Sequence, residues 1–206
     1  MRTNIYVDGF NLYYGALRGT PCKWLDLSAL FRNMLHQHHQ ILAIKYFTAR
    51  VERREIDPYK PERQNTYLRA LVAHCPEIEI IEGQFRTRET RLPLVEPPPR
   101  TVRVLRTEEK GSDVNLAVHL LNDAWRDEYD CAVVVSNDSD LAEAMRLVTS
   151  EKQNIILGLL TPGNRHPSQD LTGYAYFQRN IRRRLLERSQ LPDRIPDTNI
   201  RKPRQW

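Results

Sequence analysis

Hydrophobic positions along this chain follow two alternating rhythms. Cys131 to Val135 is an unbroken apolar run ending in three valines, the mark of a strand buried on both faces, as in a parallel sheet. It stops on Ser136-Asn137-Asp138-Ser139-Asp140, after which Leu141 to Val148 resume with helical spacing. Asn4 to Val7 form an earlier short strand that runs into Asp8-Gly9-Phe10-Asn11. Leu27, Leu30, Phe31, Met34 and Leu35 recur at three and four, and Asp26 stands ready to cap that helix. Ile41 to Thr48 make a second strand, and after the polar loop Arg50 to Pro61 a helix runs to about His74, where Pro76 bars its continuation. Glu77 to Ile81 alternate as a third, edge strand, and Ile155 to Leu160 form a fifth. Between them, Val114, Ala117, Val118, Leu120, Leu121, Ala124 and Trp125 mark a helix with Ser112 as its N-cap and Asp113 in its first turn.

This alternation predicts an α/β fold, a doubly wound parallel sheet of about five strands in the order 3-2-1-4-5. Residues 84 to 107 break the rhythm. Gln84 to Arg88 and Thr101 to Leu105 can pair as an antiparallel ribbon around Pro97, Pro98 and Pro99, which exclude a helix. The expected division is a catalytic domain over 1–177, with an inserted Arg-rich flap over 84–107, and a basic C-terminal helix and tail over 178–206. The tail from Pro192 reads as a loosely docked arm.

The order of elements carries the chemistry. Strands one and four are neighbours in such a sheet, so Asp8 and the pair Asp138 and Asp140 leave it at one carboxyl edge. The helix opened by Asp113 feeds strand four, so its N-terminus lies at the same edge. Helix capping alone accounts for one acid in such a position; four from three distant segments exceed it. Crowded carboxylates repel unless a cation sits among them. Oxygen donors without Cys or His partners point to Mg²⁺ or Mn²⁺, and such sites handle phosphate chemistry. Asn11 and Ser136 are placed to orient Asp8 and Asp138 or to meet substrate.

Charge sharpens this reading. The net charge is +5. Residues 178–206 hold nine Lys/Arg against three Asp/Glu, and residues 84–106 six Arg against two Glu, which leaves about −5 for the rest. An acidic body with two basic appendages suits a protein that grips a polyanion and acts on it at an acidic centre. Cys22, Cys75 and Cys131 form no metal or disulfide pattern, and neither a signal peptide nor a spanning segment is evident. A cytoplasmic setting with no membrane partner follows. Strand one lacks the Gly-x-Gly-x-x-Gly of a nicotinamide-binding fold and the Asp-x-Asp of a haloacid-type phosphatase. His36, His38 and His39 read as a solvated helix end, and Trp24 and Trp125 as packing anchors.

Asp8-Gly9-Phe10-Asn11, Lys110-Gly111-Ser112-Asp113 and Ser136-Asn137-Asp138-Ser139-Asp140, in this order, resemble the NYN domain, and more narrowly its bacterial LabA-like branch within the PIN-like superfamily. Arg63-Gln64 with Tyr67 adds to the likeness, which covers roughly residues 3 to 160. Asn137 stands where a glycine is common. The resemblance implies a three-layer α/β/α PIN-like fold and a Mg²⁺- or Mn²⁺-dependent ribonuclease, with Asp8, Asp113, Asp138 and Asp140 as catalytic metal ligands. Asn11, Ser136 and Lys110 are expected to support those acids or the substrate. Tyr14, Arg63, Arg86, Arg88, Arg103, Arg182, Arg183 and Arg184 are expected to hold RNA, single-stranded by preference. The alternative is an RNA-binding or regulatory protein on the same fold that does not cut. A homodimer is compatible with the sequence, which leaves the oligomeric state open.

Overall fold

In the computed structural model of this protein, residues 1–206 are described except 54, 97–99 and 205. The connection through Pro97, Pro98 and Pro99 therefore lies outside the described residues. Strand β1 (Arg2–Asp8) leads directly into a one-turn helix α1 (Gly9–Leu12) and a π-helical turn over Tyr13–Leu17. Helix α2 (Leu27–Met34) starts where expected, because the Asp26 carboxylate accepts a hydrogen bond from the Ala29 N–H. Strand β2 (Gln40–Ala49) and helix α3 (Lys60–His74) follow, with Pro61 in the first turn, where a missing N–H costs nothing.

Strand β3 (Ile78–Pro93) is one continuous strand of 16 residues, so the expected third strand and the flap's first limb are a single element. It pairs in parallel with β2 over Ile78–Gly83, and then antiparallel with β4 (Thr101–Lys110) over Gln84–Pro93. The ribbon's register differs from expectation. Arg88 faces Arg106 and Pro93 faces Thr101, so Gln84 to Arg88 pair with Arg106 to Lys110 instead of Thr101 to Leu105. Alternation within each segment shows which of its residues share a face, not which residues of the other strand they meet.

Helix α4 (Ser112–Trp125) opens on Gly111, whose φ of 100° is left-handed and suits glycine. Gly111, not Ser112, is thus the N-cap; the Ser112 hydroxyl is buried without a partner among the described residues. Strand β5 (Cys131–Val135) is buried throughout. A 3-10 turn (Ser139–Leu141) joins it to α5 (Ala142–Glu151), followed by β6 (Ile156–Pro162), α6 (Gln169–Thr172), β7 (Phe177–Ile181) and α7 (Arg183–Arg188).

One mixed sheet of seven strands runs β4-β3-β2-β1-β5-β6-β7. The expected five strands in the order 3-2-1-4-5 are extended by β7 on one side and by the antiparallel β4 on the other. β7 has no apolar run to announce it: Phe177-Gln178-Arg179-Asn180-Ile181 becomes a strand by pairing with the exposed edge of β6. The expected boundary at 177/178 falls at its first residue. Side chains alternate along β1 and β5 and so feed two cores. Ile5, Val7, Val133 and Val135 pack with α2, α3 and α7 on one face; Tyr6, Ala132 and Val134 pack with α4 and α5 on the other. The result is a three-layer α/β/α sandwich.

The tail is built in rather than loosely docked. Leu191, Ile195 and Ile200 are buried, the Leu191 N–H donates to the Trp24 carbonyl, and the Trp24 indole donates to the Pro192 carbonyl. Trp24 is a packing anchor as expected. Trp125 is not: it is 49% exposed, with the Lys152 ammonium over its ring. Among the described residues no helix is long and apolar enough to cross a membrane.

Candidate active site

The site begins at the carboxyl ends of β1 and β5. These strands run side by side in register, Val7 beside Val135, so the next residues, Asp8 and Ser136, leave the sheet as neighbours. The Ser136 hydroxyl donates to Asp8 Oδ2 at 2.8 Å, and the Asn11 N–H donates to Oδ1 at 2.8 Å. Asp8 is therefore both the N-cap of α1 and a carboxylate clamped at each oxygen; it is 3% exposed. Ser136, expected to serve Asp138, accepts from the Asp138 N–H at 3.1 Å, but its proton goes to Asp8. Asn11 acts on Asp8 through its backbone, while its side-chain oxygen accepts from the Asn137 N–H.

Asp138 caps the 3-10 turn, its Oδ1 accepting from the Asp140 N–H at 3.0 Å. Asn137 does more than restrict the turn: its side chain donates to the His166 carbonyl and accepts from the Ser168 N–H. That ties the loop after β6 to the site. Asp113 projects from the first turn of α4, as expected.

Asp8, Asp113 and Asp138 line one crevice together with Phe10, Asn11, Tyr14, Phe85, Glu109 and Arg165. Three of the four expected acids are thus brought together. Asp140 is exposed and does not line the crevice; the turn that Asp138 caps points it outward. Burial pushes the Asp8 carboxyl above its ordinary value, its two hydrogen bonds oppose this, and the Asp138 charge adds to the rise. Asp113 is pushed up to about 6 by burial first, then by the charges of Asp8, Asp138, Glu109 and Asp140. Among the described residues, no three His, Cys, Asp or Glu side chains gather closely enough to hold a metal ion by themselves.

Three lining residues had no sequence signal. Glu109 reaches the crevice because β4 returns antiparallel beside β3, and its carboxylate accepts from the Ser112 N–H at 3.0 Å. Phe85, opposite Glu109 in that register, meets Phe10 edge-on with ring centroids 5.7 Å apart. Arg165 arrives on the loop after β6, where the crevice holds the acids. Lys110, by contrast, pairs with Glu108 at 3.2 Å.

The expected RNA-binding residues are dispersed. Arg86, Arg88 and Arg103 lie on the β3–β4 ribbon, whose base reaches the crevice at Phe85; Arg88 and Arg103 form ion pairs with Glu108 and Glu89 respectively. Tyr14 is 49% exposed at the crevice, with the Arg18 guanidinium 5.5 Å over its ring. Arg63 is paired with Asp57. Arg182, Arg183 and Arg184 follow β7, which lies three strands from β1, or about 14 Å at the usual strand spacing.

The chain has counterparts among known proteins. Its fold is similar to the crystal structure of a protein of unknown function from Vibrio parahaemolyticus, with a TM-score of 0.56 and 18% identity over 92% of this chain and 96% of that one. In sequence the chain is 37% identical, across 100% of its own length and 75% of the other's, to 6-hydroxy-3-succinoylpyridine 3-monooxygenase HspA of Pseudomonas putida. The NYN domain matches residues 2–178. The chain belongs to the NYN domain family.

Proposed function

We propose that the protein is a Mg²⁺- or Mn²⁺-dependent ribonuclease that hydrolyses RNA phosphodiester bonds at the crevice of Asp8, Asp113 and Asp138, in the manner of the LabA-like branch. One observation carries the reading. Carboxylates from three separate segments face one crevice, and two of them are held above their ordinary values. Such a crevice carries more negative charge than its own hydrogen bonds stabilise, which favours a cation. All-oxygen donors suit Mg²⁺ or Mn²⁺. The open spacing suits an ion held by one or two carboxylates and completed by water and phosphate oxygens.

One or two of Asp8, Asp113 and Asp138 would hold that ion directly and the remainder through water, with Asp140 at the rim. The chemistry supplied by a bound divalent ion is a water acidic enough to attack phosphorus and screening of charge on the phosphoryl oxygens. The protein's own part is positional. Ser136 and the Asn11 N–H hold both oxygens of Asp8, so it cannot swing away. Arg165 is the cation on the crevice wall able to meet a phosphate oxygen. The arginines of the ribbon would track the RNA backbone by charge. A cytoplasmic location belongs to the same reading, supported by three buried free cysteines.

A second reading follows the relative named as a monooxygenase, which matches the whole of this chain. There the crevice and its aromatic wall would hold a hydroxylated pyridine for oxygenation. One set of assays separates the readings. A labelled single-stranded RNA pool is incubated with Mg²⁺, Mn²⁺ or EDTA, beside the Asp138→Asn variant, and O2 uptake is followed with 6-hydroxy-3-succinoylpyridine and an electron donor. Metal-dependent cutting lost in the variant supports the nuclease. Binding without cutting leads to the regulatory alternative, and O2 uptake without cutting leads to the oxygenase.

A further inference from the structure

Beside the acidic crevice lies a second cavity of about 100 Å³, and the two share Phe10 and Tyr14. Its character is opposite. The charged side chains lining it are Lys23, Lys60 and Arg63, and no Asp or Glu side chain lines it among the described residues. Arg63 is already paired with Asp57. Lys23 and Lys60 have no ion-pair partner among the described residues. The walls are aromatic: Tyr67 and Trp206 stand with ring centroids 5.5 Å apart, and Tyr13 meets Tyr14 edge-on at 5.2 Å.

Tyr46 supplies the decisive detail. It lines this cavity, is only 6% exposed, and its hydroxyl has no hydrogen-bond partner among the described residues. Burial holds the ring in place while the hydroxyl itself stays accessible from the cavity, since it is not one of the buried polar atoms left without a partner. Here it stands beside Gly9, where a β-carbon would come within 2.8 Å of the Tyr46 oxygen. The same β-carbon would meet the Phe47 carbonyl at 2.7 Å, so only glycine lets α1 lie this close to β2 beside the hydroxyl. A closed apolar cavity of ~150 Å³ holds one whole benzene ring, so this space of about 100 Å³ takes a single ring edge-first, with the rest of the ligand outside at the mouth.

We propose that this cavity is a ring-holding subsite for one unstacked heteroaromatic ring that carries an anionic group. The ring packs against Tyr13, Tyr67 and Trp206, its polar edge meets the Tyr46 hydroxyl, and its anion meets Lys23 and Lys60. Two sources share this chemistry. One is a nucleotide of an RNA strand whose neighbouring phosphate lies in the acidic crevice, which rests on the ribonuclease reading. The other is a free hydroxypyridine carboxylate, which does not.

The test is binding in EDTA, where no cleavage is needed. Uridine 5′-monophosphate and, separately, 6-hydroxynicotinate are titrated into the full chain by calorimetry, with tryptophan quenching as a second signal. Saturable one-to-one binding is expected. Tyr46→Phe should weaken it about fivefold, as for one neutral hydrogen bond. Lys60→Ala should weaken it about tenfold, as for one charge-assisted hydrogen bond. Asp138→Asn should leave it unchanged, because that acid lines only the crevice. Melting temperatures close to native in each variant keep the comparison clean. Preference for the nucleotide assigns the RNA source, and preference for the pyridine assigns the free acid. Failure of both probes to saturate would overturn the subsite. So would affinity that Tyr46→Phe and Lys60→Ala leave intact while Asp138→Asn abolishes it. Loss of RNA cleavage with ring binding intact would sink the nuclease alone.

Discussion

Asp113→Asn should stabilise the metal-free protein while abolishing metal-dependent activity. Asp113 is pushed from its ordinary 3.8 up to about 6, a difference worth about 3 kcal/mol against the charged form in the folded state. The side chain is half-buried, so solvent screening reduces this to about 1–2 kcal/mol. Removing the charge also forfeits ~0.3–1 kcal/mol of favourable interaction with the N-terminus of α4. The net gain expected at neutral pH is about 1 kcal/mol, or roughly 2–4 °C in melting temperature for a chain of this size. The sign follows from proton binding. Between about 3.8 and about 6 the folded state binds the Asp113 proton more tightly than the unfolded state, so stability falls as pH rises through that window. Above it the full cost is present; below it there is none. Thermal unfolding by circular dichroism in EDTA, near pH 7 and again near pH 3.5, measures both. Mg²⁺ should then raise the melting temperature of the native protein more than that of the variant. A variant less stable than native at neutral pH, or equally favoured at both pH values, would refute the charge-crowding argument.

Other perturbations test other parts of the molecule. Asp123 accepts from the Tyr6 hydroxyl at 2.6 Å and from the Lys45 ammonium at 2.7 Å, with both partners largely buried. Asp123→Ala should cost up to about 3–5 kcal/mol in urea unfolding by leaving the Lys45 charge with only the half-exposed Glu79, 3.7 Å away, as ion-pair partner; a cost under about 1 kcal/mol would mean that water and Glu79 replace the lost pair. Changing Arg86, Arg88 and Arg103 together to Ala should weaken single-stranded RNA binding and flatten its logarithmic salt slope by up to about 2, or ~0.7 for each phosphate no longer neutralised. The existing pairing of Arg103 with Glu89 makes that an upper bound, and an unchanged slope would remove the ribbon from the RNA path. Burial pushes the Cys131 thiol up to about 12 and raises that of Cys75 as well. Both should resist alkylation in the native protein near pH 8 and react on unfolding; rapid native labelling at either would contradict the core packing.

The placement of the acids was legible in the sequence because it follows from local pattern plus two topological rules. The Val133-Val134-Val135 run reads as a fully buried strand, and the spacing from Val114 to Trp125 reads as a helix feeding it. Right-handed crossovers then leave Asp8, Asp113 and Asp138 no other edge to occupy. Capping was legible in part: Asp26 and Asp138 both accept from N–H groups in the turns they open, whereas α4 opens on Gly111 and not on Ser112. The resemblance to the NYN domain rested on the same residues, and the match over 2–178 bears that part of it out.

The rest depended on partners distant in sequence. Glu109 and Phe85 reach the crevice only through the register of β3 against β4, and strand alternation is the same whichever register forms. Whether Ser136 serves Asp8 or Asp138 is decided by β1 lying beside β5 one residue earlier. Asp140 sits exposed beyond the crevice lining because it lies inside the 3-10 turn that Asp138 caps, a turn that the Asp-x-Asp spacing alone does not specify. β7 exists because an open edge of β6 offers pairing to a chain with little strand character of its own. The aromatic cavity draws on α1, the turn after it, β2, α3 and Trp206, five places with no common periodicity. Sequence pattern reports which face of an element is buried, since that depends on neighbours within a few residues. What those faces meet depends on pairings across the chain, and only the assembled tertiary structure determines them.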